Sequence, residues 1–182
     1  MIRKKSFHTF KEAARVGAYD ERPMLPDEID IQLHLSRNDR PQPFFLVCEK
    51  DTLIALMSGA ARVEFKAVAV QTFELVPGDY VYVPAGTPHR IVPATESVMM
   101  RYKPRRPGLE GTAWYCTRCD TEIHREIWDT VECNEQAGYL AASERFNADD
   151  RLRTCGRCSE THAKVDIGAF RWGEIAREIA AG

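Results

Sequence analysis

Short apolar stretches separated by turn residues dominate the first hundred positions of this chain. From Ile29 to Leu35 every second residue is apolar and the residues between are polar. A period of two predicts a β-strand with one apolar side and one solvent-facing side. Further short strands are predicted at 44–48, 53–57, 62–65, 71–75, 80–83 and 98–102. Many short strands with regular turns are typical of an antiparallel sandwich or barrel.

Helical patterns flank this β-rich region. Thr9 and Glu12 have the spacing of a capping box, which predicts a short helix over 10–16. A partly helical segment is predicted at 134–153. A tail helix is predicted at 169–181, where four large apolar residues lie near one face.

A segment rich in proline and glycine, 103–111, is predicted to link the β-rich region to a cysteine-containing module. The chain shows no internal repeat. The pattern therefore predicts three parts: a β-barrel with an N-terminal helix at 1–103, a compact module at 104–168 and a C-terminal helix at 169–182.

Two Cys-x-x-Cys pairs lie in the predicted module. They are Cys116 with Cys119, and Cys155 with Cys158. A two-residue gap lets both sulfurs of a pair turn toward one point, so two pairs supply the four thiolates of a tetrahedral site. The spacing predicts a structural metal, either zinc or iron in a rubredoxin-like knuckle. A redox dithiol or a pair of disulfides is the alternative.

Composition narrows the classes of function. The chain has 182 residues and a net charge of −2, which suits one domain with an appendage and gives no electrostatic case for nucleic acid. No apolar run approaches the length needed to span a bilayer, and no apolar segment follows the basic N-terminus as a secretory signal requires. Cys48 and Cys133 lie outside the pairs. Unpaired cysteines beside a thiolate metal site predict a reducing, cytoplasmic location.

A second motif lies at 78–89 and reads Gly-x5-Pro-x-Gly-x2-His, with His89 as its last residue. Its glycines and proline make tight turns at both ends of a strand and aim the histidine into the mouth of a barrel. The segment resembles the second cupin motif, whose histidine binds a metal. The resemblance implies an all-β cupin, a double-stranded β-helix or jelly-roll barrel. The alternative for His89 is a hydrogen-bonded core or loop residue.

The first cupin motif is incomplete. It normally supplies two histidines and, seven residues before a glycine, a glutamate. If Gly59 is that glycine, Thr52 stands in place of the glutamate, and Leu46 and Cys48 stand in place of the histidines. A site of two histidines and one carboxylate cannot be assembled from this segment. His34 is a candidate replacement ligand; the alternative is a cavity or surface residue that forms hydrogen bonds.

The order of these parts, over roughly residues 28–163, resembles the bacterial 3-hydroxyanthranilate 3,4-dioxygenase family. The segments that carry the resemblance are Arg-Arg-Pro at 105–107, Trp-Tyr-Cys-x-x-Cys at 114–119, His-Arg at 124–125, Ser-Glu at 143–144 and Cys-x-x-Cys-x3-His at 155–162. The resemblance implies a homodimer that opens the ring of 3-hydroxyanthranilate with O2 at Fe(II) in the barrel, with a rubredoxin-like second metal at the four cysteines.

The resemblance also implies a ligand set of one histidine, a glutamate six residues later and the second-motif histidine. Only His89 matches, because the other two positions hold Leu46 and Thr52. The family's substrate-binding arginine is matched by Arg40. Its second arginine, just after the second-motif histidine, has no match in register, and Arg90 is adjacent to that position. The family's substrate-binding carboxylate falls near 101–103, where bases stand instead.

Basic residues are therefore predicted to line a pocket for an anionic carboxylate, because a guanidinium pairs with it bidentately. They are Arg40, Arg90, Arg101 and Lys103. Cys48 is a candidate nucleophile or thiolate ligand, and Glu49 or Asp51 a candidate acid–base group, beside His89. The alternative is a solvated surface for the arginines and a small core residue for Cys48.

Three functions remain open. The first is an enzyme on this scaffold that acts on a small carboxylated aromatic or amino-acid-like substrate, with chemistry altered from ring opening. The second is a ligand sensor or partner subunit with only a structural metal. The third is an adaptor for RNA or protein built on the cysteine module, which the near-neutral charge disfavours for RNA. Zinc or iron is expected at the four cysteines, and Fe(II) in the barrel is implied by the resemblance alone.

Overall fold

The computed structural model describes residues 8–25 and 30–181, and Ile29 of the first predicted strand lies outside them. The strands are β1 Arg22–Pro23, β2 Ile31–Asn38, β3 Phe45–Cys48, β4 Thr52–Ser58, β5 Ala61–Phe65, β6 Thr72–Leu75, β7 Tyr80–Val83, β8 His89–Pro93, β9 Ser97–Pro104, β10 Leu109–Tyr115 and β11 Glu122–Asp129. The helices are α1 Thr9–Ala13, α2 Glu135–Ala148, α3 Asp150–Arg153 and α4 Trp172–Ala181, with a 3-10 helix at Ile167–Ala169.

The strands form two antiparallel sheets. One has the order β1-β2-β9-β4-β7 and the other β11-β10-β3-β8-β5-β6, so the chain passes repeatedly from one sheet to the other. Alternate residues of both sheets point into the space between them, where Ile54, Leu56, Val63 and Ile91 form a buried apolar core. This confirms the predicted cupin architecture, an all-β barrel followed by a four-cysteine cluster.

Helices cover both sheets. Ala13 and Val16, in and just after α1, pack on the outer face of the first sheet against Leu33 and Leu35. On the second sheet, α2 and α4 cover a buried cluster in which Phe44, Leu46, Trp114, Tyr139, Phe146 and Trp172 meet. Among the helices of the described residues, none is long and apolar enough to cross a membrane.

Three local predictions need correction. Helix α1 begins at Thr9, its N-cap is His8, and no side chain caps it, so the predicted capping box does not form. The tail helix begins at Trp172, because the preceding residues form the 3-10 helix and Phe170 has an extended backbone. The polar side of β2 is not wet: Gln32 and His34 are buried, since this side faces the barrel interior.

The predicted linker 103–111 is mostly strand. β9 runs to Pro104 and β10 begins at Leu109, and β10 pairs with β3 with Glu110 opposite Cys48. The second sheet therefore continues from the barrel into the cysteine-containing part. The division between 103 and 104 stays a prediction, and the structure joins the two parts through this sheet.

Candidate functional site

The two Cys-x-x-Cys pairs adopt the same turn. In each, the first cysteine's N–H donates to the carbonyl five residues later at 2.8 Å, and the N–H four residues after it donates back to that cysteine's carbonyl at 2.9–3.0 Å. The residue at that fourth position is Asp120 in one turn and Ser159 in the other, with left-handed φ angles of 61° and 59°. Both turns aim their sulfurs at one point.

The four sulfurs are close enough to hold one metal ion. The Sγ atoms of Cys116 and Cys158 are 3.4 Å apart, those of Cys119 and Cys155 are 3.5 Å apart, and all four lie within 4.8 Å of one another. A tetrahedral ion with metal–sulfur bonds of about 2.3 Å separates its sulfurs by about 3.8 Å. The four cysteines are not disulfide-bonded and fit a thiolate metal site. The choice between zinc and iron stays a prediction.

This cluster joins two parts of the fold. The first pair follows β10, and the second follows α3, where Arg153 Nη1 donates to the carbonyl of His162 at 2.7 Å. Above the cluster, Trp114 of β10 stacks on Phe146 of α2, with ring centroids 4.2 Å apart and planes 8° apart. A metal bound here would clamp the second sheet to the helices.

Two of the three positions that the resemblance assigns to iron ligands lie side by side on one sheet, and the third is buried on the other sheet. Leu46 on β3 is paired with His89 on β8, and Thr52 on β4 is buried. Gly59, from which the ligand positions are counted, has a φ of +82° and approaches the backbone at residue 96 too closely for a side chain. Of the three residues, only His89 can bind a metal.

An iron ion does not fit these residues. Leu46 packs in the apolar cluster with Trp114 and Tyr139, and Thr52 Oγ1 donates to the carbonyl of Lys50 at 3.4 Å. Across residues 8–25 and 30–181, the four cysteines form the one group of three or more ligand atoms close enough for a metal. His34, the candidate replacement ligand, belongs to no such group.

His89 is held in one protonation state. Its Nδ1 lies 3.0 Å from the carbonyl oxygen of Thr87, so this nitrogen carries the proton and donates it. The other nitrogen, Nε2, is buried without a partner. Burial lowers the pKa of His89 to about 3, and the nearby Arg101 contributes to the lowering, so the ring is neutral with a free lone pair on Nε2.

Buried ion pairs fill the polar half of the barrel. Lys103 pairs with Glu110 of β10 and, at 2.9 Å, with Glu135 of α2. Arg101 pairs with Glu21. Burial opposes the charge on Lys103, but the carboxylates beside it hold its pKa above the usual range. Burial likewise opposes the charge on Glu135, but Lys103 and its other neighbours lower its pKa to about 2. Arg101 and Lys103, which stand where the resemblance implies a substrate-binding carboxylate, therefore already have carboxylate partners.

The predicted catalytic residues are not brought together. The Cys48 thiol faces the interior, 3.6 Å from Glu110, and burial and that carboxylate raise its pKa. Glu49 is exposed and accepts from the N–H of Leu109 at 2.6 Å. Asp51 is also exposed, and accepts from the Tyr82 hydroxyl at 2.8 Å. Cys48 and His89 share the interior, and the two acids lie outside it.

The predicted substrate-binding arginines are also separated. Arg40 is half-exposed and pairs with its neighbour Asp39 at 2.7 Å. Arg90 lies on the outer side of the second sheet, paired with Glu64 at 2.7 Å and above the ring of Phe45. Only Arg101 points into the barrel. The arrangement does not form a shared carboxylate pocket from these three side chains.

A polar cavity of about 190 Å³ opens at the barrel mouth instead. Its lining includes His34, Lys50, Lys103, Glu135 and Gln136. Neither Lys50 nor Glu135 was predicted from the sequence. Lys50 lies in the turn after β3, so the strand period of two does not reach it. Glu135 comes from a helix distant in sequence.

Sequence comparison confirms the predicted resemblance. The chain is 31% identical over 88 residues to a 3-hydroxyanthranilate 3,4-dioxygenase of Podospora anserina, covering 47% of this chain and 46% of that protein. It is 29% identical over 128 residues to one of Brucella anthropi, covering 69% of this chain and 66% of that protein. The chain spans about half the length of the fungal relative it matches. No protein-family model matches the chain.

Solved structures similar to this fold include cupins and dioxygenases. One is a cupin-2 domain protein from Shewanella frigidimarina, with 18% identity and a TM-score of 0.47, covering 56% of this chain and 96% of that one. Another is a hydroquinone 1,2-dioxygenase from Sphingomonas, with 15% identity and a TM-score of 0.46, covering 54% of this chain and 72% of that one.

Proposed function

We propose that this chain is a cupin that binds a small carboxylated molecule, holds a structural metal at its four cysteines and does not carry out iron-dependent ring opening. The proposal rests on the residues that occupy the three expected ligand positions: Leu46, which is paired with His89, and Thr52, which is buried on β4. One imidazole nitrogen among an aliphatic side chain and a hydroxyl does not form the two-histidine, one-carboxylate site that non-haem iron oxygenases use.

The ligand class follows from the relatives. The proteins that the chain resembles are named for 3-hydroxyanthranilate, a small aromatic carboxylate. The barrel retains a polar interior and a cavity at its mouth, which support binding of a molecule of this class. A homodimer, which the resemblance implies, and a cytoplasmic location, which the unpaired cysteines predict, stay part of the proposal.

An enzyme with altered chemistry is the second candidate, and the unpartnered Nε2 of His89 is the observation behind it. This nitrogen is free to accept a hydrogen bond from an acidic group of a bound carboxylate, while the lowered pKa of His89 makes it a weak base. Cys48 is the weaker candidate for chemistry, because burial and Glu110 raise the pKa of its thiol.

Metal content and oxygen uptake test the main proposal. We expect about one metal per chain after anaerobic purification, in the wild type and in His89→Ala alike, because only the four thiolates fit an ion. We also expect no oxygen consumption when Fe(II) and 3-hydroxyanthranilate are added. Two metals in the wild type and one in the variant, together with ring opening, would contradict the proposal.

Product analysis separates the two candidates. A carboxylate that binds is incubated with the protein under nitrogen, and its chemical shifts are followed by NMR. An unchanged spectrum supports a binding protein. Conversion that disappears in His89→Ala while binding persists supports the enzyme.

A further inference from the structure

Among the buried cationic side chains of the described residues, Arg101 and Lys103 have carboxylate partners and Lys50 does not. Arg101 and Lys103 each form a buried ion pair with a carboxylate from another part of the fold. Lys50 is as deeply buried, with 4% of its surface exposed. Within residues 8–25 and 30–181, however, the Lys50 ammonium makes no hydrogen bond or ion pair. The ammonium therefore faces the cavity without a carboxylate partner, and an anion in the cavity could pair with it.

The position of Lys50 is fixed by its surroundings. It lies in the turn between β3 and β4, and its backbone N–H donates to the Cys48 sulfur at 3.4 Å. Its Cε atom lies 3.3 Å from the point where a side chain at Gly108 would begin, so the lysine stem fills the space beside that glycine. The head group lines the mouth cavity.

The cavity limits the size and charge of the anion. A volume of about 190 Å³ suits a single ring, since an engineered cavity of about 150 Å³ holds benzene. The lining holds three cationic side chains, Lys50, Lys103 and Arg105, against two carboxylates, Glu21 and Glu135, which leaves one positive charge and suits a singly charged anion better than phosphate. The mixed lining favours a monoanion that carries a separate N–H or O–H donor.

We infer that the mouth cavity binds a one-ring-sized amino- or hydroxy-carboxylate, with its carboxylate on the Lys50 ammonium and its donor group directed toward Glu135. This inference rests on the proposed function, and it places the ligand at the mouth on residues other than His89 and the three predicted arginines.

Calorimetric titration tests the anchor. The probes are 2-aminobenzoate, benzoate, aniline and inorganic phosphate, and the proteins are wild type, Lys50→Met, Lys50→Arg and Lys164→Met. Lys164 is an exposed lysine outside the cavity and serves as the matched control. We expect 2-aminobenzoate to bind the wild type and the control most tightly. Its affinity for Lys50→Met should fall about tenfold to a hundredfold, the usual effect of losing a hydrogen bond to a charged group. Lys50→Arg should restore most of it.

Chemical modification of the wild type gives a second measurement that does not depend on how a variant folds. Reductive methylation followed by mass spectrometry reports the reactivity of each lysine amine. Saturating 2-aminobenzoate should slow methylation of Lys50 several-fold and leave Lys164 unchanged.

The outcomes distinguish failure of the mouth site from failure of carboxylate binding as a whole. If 2-aminobenzoate binds Lys50→Met as tightly as wild type, or leaves Lys50 methylation unchanged, the mouth-cavity inference is overturned and carboxylate binding by the protein stands. Tighter binding of phosphate than of 2-aminobenzoate also overturns the inference. If the wild type binds none of the carboxylates, the inference and the ligand class of the proposed function both fail.

Discussion

Among single residues, the Lys103–Glu110 pair carries the largest consequence for stability. Both side chains are fully enclosed, so removing Lys103 leaves Glu110 as an uncompensated buried charge. We expect Lys103→Met to lower the free energy of unfolding by about 3–5 kcal/mol, measured by urea denaturation. The double variant Lys103→Met/Glu110→Gln should recover much of the loss, because the only described carboxylate that it leaves without Lys103 is the partly exposed Glu135.

A surface pair provides the control for this prediction. Arg125 and Glu122 form an exposed ion pair at 2.6 Å, and Arg125→Met should cost less than about 1 kcal/mol. Equal losses for Lys103→Met and Arg125→Met would mean that the interior pair is hydrated, which would remove the reason for treating the barrel as closed.

The two interior histidines predict how stability depends on pH. Burial lowers the pKa values of His34 and His89 to about 3 in the folded chain, against 6.5 when unfolded. The unfolded chain therefore binds more protons between these values, and stability is present above pH 6.5 and lost as the pH falls below it. The expected slope is about 1.4 kcal/mol per pH unit for each histidine.

Denaturation between pH 7 and pH 5 measures this slope before most carboxylates titrate. His89→Gln should reduce the slope by about half, since one of the two groups is gone. His8→Gln should leave it unchanged, because His8 is exposed. A wild-type stability that is constant over this range would show that the histidines are not buried as described.

For single residues, the contacts that could not be predicted are those between positions far apart in the sequence. The second-motif pattern predicted that His89 points into the barrel, and the pattern is local enough to do so. The role of Glu110 was not predicted, because it depends on contacts with Lys103 and with Cys48, which lies 62 residues away in sequence. Likewise, nothing near Arg101 in sequence indicates that Glu21 neutralises it.

At the level of elements, seven of the eleven described strands were predicted, and β1, β8, β10 and β11 were not. β10 was interpreted as a linker because of its glycines and the prolines before it. Gly111 is instead required by sheet geometry, since a Cβ there would lie 2.3 Å from the carbonyl oxygen of Glu126 on β11. A glycine in the sequence is therefore compatible both with a close approach of two strands and with a flexible linker.

Gly138 in helix α2 tests whether side-chain packing outweighs intrinsic helix propensity. Gly138 lies near the start of this helix, where a Cβ would be 2.1 Å from the Trp128 ring. Alanine favours a helix over glycine by about 1 kcal/mol, but overpacking costs about 1–3 kcal/mol or more when a ring is fixed in place. We expect Gly138→Ala to destabilise the protein by at least about 1 kcal/mol in chemical denaturation.

The matched substitution is Gly173→Ala in α4. There the nearest atom is the Leu140 Cδ2 at 3.3 Å, the end of a flexible side chain, so the change should be neutral or slightly stabilising. If Gly138→Ala stabilised the protein as much as Gly173→Ala, α2 would not be seated on Trp128 as the structure shows.

For the whole molecule, the helices connect the barrel mouth to the four-cysteine cluster. The first turn of α2 supplies Glu135 to Lys103, and Gln136 donates to the backbone carbonyl of Asp20 at 3.0 Å. The other end of the same helix leads through α3 to the second cysteine pair. The domain division predicted from composition missed this connection, because composition does not show which helix covers which sheet.

Metal removal tests how far this connection extends. Cys155→Ser should release the bound metal and lower the melting temperature by about 10 °C, because metal binding is part of the folding free energy and each kcal/mol shifts a chain of this size by about 2–4 °C. Hydrogen exchange should accelerate at 116–121 and 155–160 and along α3. The barrel strands should keep their protection, since their core is formed by residues remote from the cluster.

Cys133→Ser is the control, as Cys133 lies outside the cluster. Retention of metal and of the wild-type melting temperature in Cys155→Ser would remove the structural role of the site. Loss of protection throughout the barrel would instead show that the metal holds the two sheets together as one cooperative unit.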